Sequence, residues 1–97
     1  MTETPRKTVR VRITGRVQGV WFRGWTVGRA KELKLDGWVR NRRDGTVEAW
    51  VQGDAAVVAR LLSWCRSGPA SAHVTAIATR EVTTDPSLDI FGRRMTE

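Results

Sequence analysis

The stretch VRVRITGRVQGVWFRGWTVGRAKEL, Val9 to Leu33, changes its hydrophobic period midway. Val9, Val11 and Ile13 alternate with Arg10 and Arg12, the period of a strand with one buried face. From Phe22 onward, Phe22, Thr26, Ala30 and Leu33 recur at intervals of three and four, one stripe of a helix ending near Lys34. Lys31 and Lys34 suit the negative end of that helix. Between the two periods lies Gly15-Arg-Val-Gln-Gly-Val-Trp21, whose glycines permit the positive φ angles that a Cβ penalises.

Working outward, Trp38 to Arg42 reads as a second strand, and Asp44-Gly45 is a strong hairpin signal that returns Thr46 to Gln52 beside it. Val47, Ala49 and Val51 are expected to face the core; Glu48, Trp50 and Gln52 are expected to face away. Asp54 suits the N-cap of a second helix with Val58, Leu61, Leu62 and Cys65 on its buried stripe, stopped at Gly68-Pro69. A last long strand spans about Val74 to Val82, Asp85-Pro86 breaks it, and a short segment follows around Phe91. The order β-α-β-β-α-β predicts a ferredoxin-like α+β sandwich, an antiparallel sheet with two helices on one face and the other face solvated. Within the first βαβ unit the crossover is right-handed and its strands parallel, so the end of the second strand lies beside the start of the first helix.

Ninety-seven residues suit one domain over residues 1–97, with about 1–7 and 94–97 flexible, and a chain of this length starting at Met reads as complete. Seventeen Lys and Arg against ten Asp and Glu give a net charge of +7, which points to an anionic partner, while 40% hydrophobic residues and five Trp argue against a disordered basic tail. Cys65 and His73 are each the sole residue of their kind. A disulfide framework, a thiolate zinc site and a Ser-His-Asp pairing are therefore excluded. Cys65 reads as a core thiol and His73 as a surface residue. With no apolar leader and no apolar run near the ~18 residues of a membrane span, the reading is a cytoplasmic protein, monomeric and without membrane contact.

The loop from Gly15 to Phe22 leads from a strand into a helix N-terminus, whose unpaired N–H groups and dipole suit an anion, and Arg23 adds a planar cation in the first turn. A plain connector is the alternative. Gly15 and Gly19 are not followed by Gly-Lys-Ser/Thr, and no Gly-x-Gly occurs, so neither a nucleotide P-loop nor a dinucleotide fingerprint is present. Asn41, the only asparagine, shares a strand face with Val39 and arrives beside this cradle, unless it merely caps the strand or serves the turn. Trp21, Trp25 and Trp38 line either the mouth of such a site or the core.

Gly15-Arg-Val-Gln-Gly-Val-Trp-Phe-Arg23, followed by Gly37-Trp-Val-Arg-Asn41, Asp44-Gly-Thr-Val-Glu48, Trp64-Cys-Arg-Ser-Gly-Pro69 and Ala72-His-Val74, resembles the acylphosphatase family over nearly the whole chain. The resemblance implies a hydrolase of the carboxyl–phosphate anhydride, needing neither metal nor cofactor, whose partners are a small acyl phosphate and inorganic phosphate. It implies a phosphate site formed by Gly15, Arg16, Val17, Gln18, Gly19, Val20, Trp21, Phe22 and Arg23, with Arg23 and Asn41 catalytic and Asn41 placing the attacking water. A carboxylate leaves as a stable anion, so the lack of a catalytic acid is no obstacle. Three positions depart from the family pattern: Lys34 replaces the usual glycine ending the first helix, Arg42 replaces the hydroxyl residue some relatives carry, and Phe91-Gly-Arg-Arg94 replaces an alternating Phe-x-Ile-Arg strand. The last strand is accordingly expected to be frayed or absent.

The rival is a nucleic-acid-binding module displaying Arg10, Arg12, Arg40, Trp38 and Trp50 on an open sheet face. An RNA-recognition sheet would carry further aromatics on its central strand, where Thr46 to Gln52 has only Trp50. A carrier domain of a larger assembly is the third possibility.

Overall fold

The alternation at the start of the chain becomes the inner face of β1 (Arg6–Arg16), with Val9, Val11 and Ile13 buried, and the stripe Phe22, Thr26 and Ala30 becomes the buried side of α1 (Phe22–Glu32). A computed structural model describes residues 5–97 and continues through β2 (Asp36–Asn41), β3 (Val47–Asp54), α2 (Ala55–Cys65), β4 (His73–Val82) and β5 (Gly92–Arg93). The sheet order is β4-β1-β3-β2-β5. Both β1 and β2 pair antiparallel with β3, so they run parallel to each other with β3 between them, the split βαβ arrangement of the ferredoxin-like fold. Val58, Leu61 and Cys65 of α2 join the α1 stripe over Val39, Val47, Ala49 and Val51 to form the core.

Local chemistry accounts for the element ends. Asp54 caps α2, its carboxylate accepting from the N–H groups of Ala56 and Val57. Lys34 takes the left-handed turn expected at the end of α1, with φ 56°, at a cost of about 1 kcal/mol relative to glycine. Around it the Leu35 N–H bonds to the Ala30 carbonyl and the Lys34 N–H to the Lys31 carbonyl, a Schellman closure sealed by two buried apolar residues, Leu35 and Ala30.

Several expectations need correction. The four expected strands pair antiparallel as read, but the last strand, expected to be frayed or absent, forms as β5 and adds to the edge parallel to β2, which makes the sheet mixed. Phe91, 1% exposed, anchors this strand in the core. The segment 94–97, expected to be flexible, is bonded along the same edge: Arg94 N–H to the Val39 carbonyl, Glu97 N–H to that of Asn41, and the Glu97 carboxylate to Arg40. At the other end, Arg6 and Lys7 belong to β1, opposite Asp54 and Gly53, and residues 1–4 lie outside the described residues.

A further correction concerns the face away from the helices, which is not solvated at its centre. Glu48 is 2% exposed and Gln52 3%. The central position of β3 is the reason, since long side chains from both flanking strands fold across it. Glu48 accepts from Arg10 at 2.7 Å, Arg40 at 2.8 Å and Arg42 at 3.4 Å. Trp38 stacks on Trp50 and lies beneath the guanidinium groups of Arg40 and Arg94, each 4.7 Å from its ring centroid. Gln52 accepts from Thr8 and from the Asp85 N–H and donates to the Asp85 carbonyl, which pins the β4–β5 connection to the sheet.

Burial alone would raise the Glu48 carboxyl, but hydrogen bonds from Arg10 and Arg40 outweigh it and hold the group below the usual carboxylate range. Its contribution to stability is thus fully present above the unfolded carboxyl's pKa and is lost as pH falls through the lower folded value. Glu48→Gln should cost about 2 kcal/mol at neutral pH, less than a fully enclosed pair because Arg10 reaches solvent. It should also flatten the loss of stability between about pH 5 and pH 3. Urea unfolding of both proteins at several pH values measures this; an unchanged acid limb would contradict it.

Candidate active site

Beside β4, β1 ends in an irregularity between Thr14 and Gly15. Gly15 has φ 130°, and a Cβ there would overlap the carbonyl oxygen of His73, so only glycine lets the two strands close up before the chain turns away. Val17 then plugs into the core at 1% exposure and fixes the near side of the loop. Gly19 and Trp21 both adopt positive φ, 72° and 65°. For Trp21 this is a strained conformation, costing about 1 kcal/mol.

Trp21 is the N-cap of α1, and its carbonyl accepts the first helical bond, from Trp25, at 3.0 Å, while no side chain among the described residues caps the helix. Phe22, Arg23 and Gly24 therefore keep their N–H groups without intrahelical acceptors. Among the described residues, the N–H groups of Gly19, Val20 and Trp21 also have no acceptor. A row of donors thus ends at the positive pole of a helix dipole.

This row borders a cleft of about 100 Å³ lined by Val17, Gly19, Trp21, Phe22, Arg23, Gly24, Asn41 and Arg93. Among the described residues no carboxylate lines it. Arg23 is half-buried and makes no ion pair among the described residues. Asn41 reaches the cleft from the end of β2, on the face it shares with Val39, and its Oδ1 is buried with no hydrogen-bond donor among the described residues. An acceptor left so costs roughly 1–3 kcal/mol, a cost that proteins seldom carry without use.

Of the residues expected at the phosphate site, Gly15 and Arg16 finish β1 opposite Val74 and His73 and do not line the cleft. Val20 packs against the core. Gln18 sends its side chain the other way, its Nε2 donating to the carbonyls of Arg42 at 2.7 Å and Thr46 at 2.8 Å. The loop is thereby tied to the β2–β3 hairpin that carries Asn41, a connection across more than 20 positions that no local pattern announces. Sequence reasoning also missed Gly24, whose missing Cβ leaves room for the Trp21 indole, and Arg93 on the far wall. Trp21 stands exposed on the lip, Trp25 packs edge-on against Phe22, and Trp38 lies on the opposite face of the sheet. His73 is exposed, and burial pushes the Cys65 thiol up to about 12, an unreactive core group.

Backbone donors, a helix dipole and unpaired arginines around a pocket lined by no carboxylate among the described residues suit the oxygens of an anion such as a phosphoryl group. On a split βαβ sandwich they make an anion-binding α+β domain whose cleft has the size and donors to take a phosphoryl group. Comparison with known proteins gives the family. The Acylphosphatase family model matches residues 9–92. A Rhodospirillum rubrum acylphosphatase is 63% identical over 68 residues, covering 70% of this chain and 75% of the relative. The crystal structure of acylphosphatase from Bacillus subtilis superposes with a TM-score of 0.87 at 32% identity, covering 91% of this chain and 98% of that one. An acylphosphatase structure from Coxiella burnetii gives 0.86 at 34% identity, with 97% and 100% covered. The chain belongs to the acylphosphatase family. Its activity is acyl phosphate hydrolysis, and no helix among the described residues is long and apolar enough to cross a membrane.

The Gln18 tie yields a prediction. Gln18→Leu keeps the volume and loses both bonds, so it should destabilise the fold by about 1 kcal/mol and weaken inhibition by inorganic phosphate several-fold. Thermal unfolding and phosphate inhibition measured on the same preparation test the link; an unaltered inhibition constant would show that the loop holds its shape without the hairpin.

Proposed function

We propose that the cleft hydrolyses its acyl phosphate by attack of water on phosphorus. Arg23 and the N–H row from Gly19 to Gly24 hold the phosphoryl oxygens, and Asn41 Oδ1 accepts a hydrogen bond from the water and aligns it with the bond that breaks. The observation that carries this reading is the buried, unpartnered Asn41 Oδ1 in the same cleft as the unpaired Arg23. The water oxygen bonds to phosphorus as the P–O bond to the acyl group breaks. The electron pair leaves with the carboxylate, and the water's proton ends on a phosphoryl oxygen, giving carboxylate and dihydrogen phosphate.

The loose transition state of phosphoryl transfer spreads charge over equatorial oxygens, where fixed backbone dipoles and a guanidinium act most strongly. This chemistry asks for no metal, no cofactor and no covalent intermediate. We take the chain to act as one monomeric domain over residues 1–97, and its single buried thiol suits the cytoplasm. The nucleic-acid reading is not favoured, because Arg10 and Arg40 are committed to Glu48 and Trp38 is covered.

The two side chains should fail differently. Arg23→Gln should raise both KM and the phosphate inhibition constant about tenfold or more and also lower kcat. Asn41→Ala should lower kcat by about 10² or more while phosphate inhibition stays within about twofold of the parent. Benzoyl phosphate hydrolysis followed by absorbance, with circular dichroism to confirm folding, reads both, and chelator should leave the parent rate unchanged. A folded Asn41→Ala working at the parent rate would return Asn41 to a structural role.

A further inference from the structure

Arg93 is the second cation in the cleft, and the hydrolysis described above does not use it. Its direction follows from β5: Phe91 is buried in the core and Arg94 lies over Trp38 on the opposite face, so alternation turns Arg93 to the helix side. The pairing of Arg93 with Val39 sets it beside the strand end that carries Asn41, and α1 packs against β5. Arg93 is exposed and has no carboxylate partner among the described residues, and no carboxylate lines the cleft. The two cations thus occupy different depths, Arg23 half-buried at the helix start and Arg93 at the open side.

The charge of a phosphoryl dianion is already met by Arg23, the free N–H row and the helix dipole. A further unpaired guanidinium at the mouth has its use beyond the phosphorus, where the acyl group must lie. Trp21, 69% exposed on the same lip, offers a flat apolar surface for the carbon framework between.

We propose that Arg93 is a specificity residue selecting acyl phosphates whose acyl group carries a second anionic group, a carboxylate or a phosphate, held at the mouth while the phosphoryl group sits in the cradle. The proposal rests on the hydrolysis assigned above and names its substrate class.

The test uses the full chain with 4-carboxybenzoyl phosphate and the matched neutral 4-carbamoylbenzoyl phosphate, whose rigid rings prevent the distal group from attacking the anhydride. The readout is the ratio of kcat/KM for the carboxylate over that for the amide. It should fall about fivefold to tenfold in Arg93→Gln, be largely retained in Arg93→Lys, and decline in the parent as salt is raised. A ratio unchanged in Arg93→Gln overturns the proposal, including the case where both substrates and phosphate affinity weaken by one common factor, which would put Arg93 on the phosphoryl group. Hydrolysis of the amide without that shift in ratio refutes the specificity role alone. A folded parent that hydrolyses neither compound refutes the acyl phosphate reading and this inference with it.

Discussion

β1 and β2 run parallel on either side of β3, so the turn leaving β1 and the turn leaving β2 emerge at the same edge of the sheet. The rest of the site depends on this. The first turn enters α1 and leaves its N–H groups unpaired; the second begins at Asn41. A one-residue slip of β2 against β3 would carry Asn41 to the other face and put Arg40 or Arg42 in the core. In the proposed mechanism, register is therefore a catalytic requirement as well as a packing one.

Several interactions hold that register, and their strengths differ. On the helix side, Val39, Val47, Ala49 and Val51 bury completely, which makes any slip costly in apolar area. On the other side Glu48 draws one arginine from β1 and one from β2 onto the central strand, and Trp38 and Trp50 stack across the β2–β3 pair. The ion cluster adds geometry more than net energy, since a buried carboxylate must first lose its water. Gln18 extends the same logic to the loop by fastening it to the hairpin, which keeps the donor row and Asn41 at a fixed separation.

What the amino-acid sequence disclosed was local in origin. Val9, Val11 and Ile13, the stripe Phe22-Thr26-Ala30, the turn Asp44-Gly45 and the cap Asp54 each act through neighbours a few positions away, and all appear as read. The cleft itself followed from joining such pieces by the parallel crossover, together with the family motif. Glu48 escaped because alternation tells which face a residue takes but not what folds over that face. Arg93 and the strand around it escaped because two residues of β5 carry no period, and its place depends on the anchoring of Phe91. Gln18 escaped because its partners are backbone carbonyls, which every residue possesses.

Two basic surfaces compete for an anion on this chain. One is the donor row with Arg23; the other is the wider groove of about 770 Å³ on the open face, edged by Arg10, Trp50 and Arg80. The first has unpaired backbone donors and the second an arginine already held by Glu48. Titration of the ¹⁵N-labelled protein with inorganic phosphate, followed through its amide resonances, distinguishes them directly. The amides of Gly19 to Gly24 should shift together and saturate with one dissociation constant, which Arg23→Gln weakens. Shifts confined to Arg10, Trp50 and Arg80, with Gly19 to Gly24 unmoved, would contradict the account.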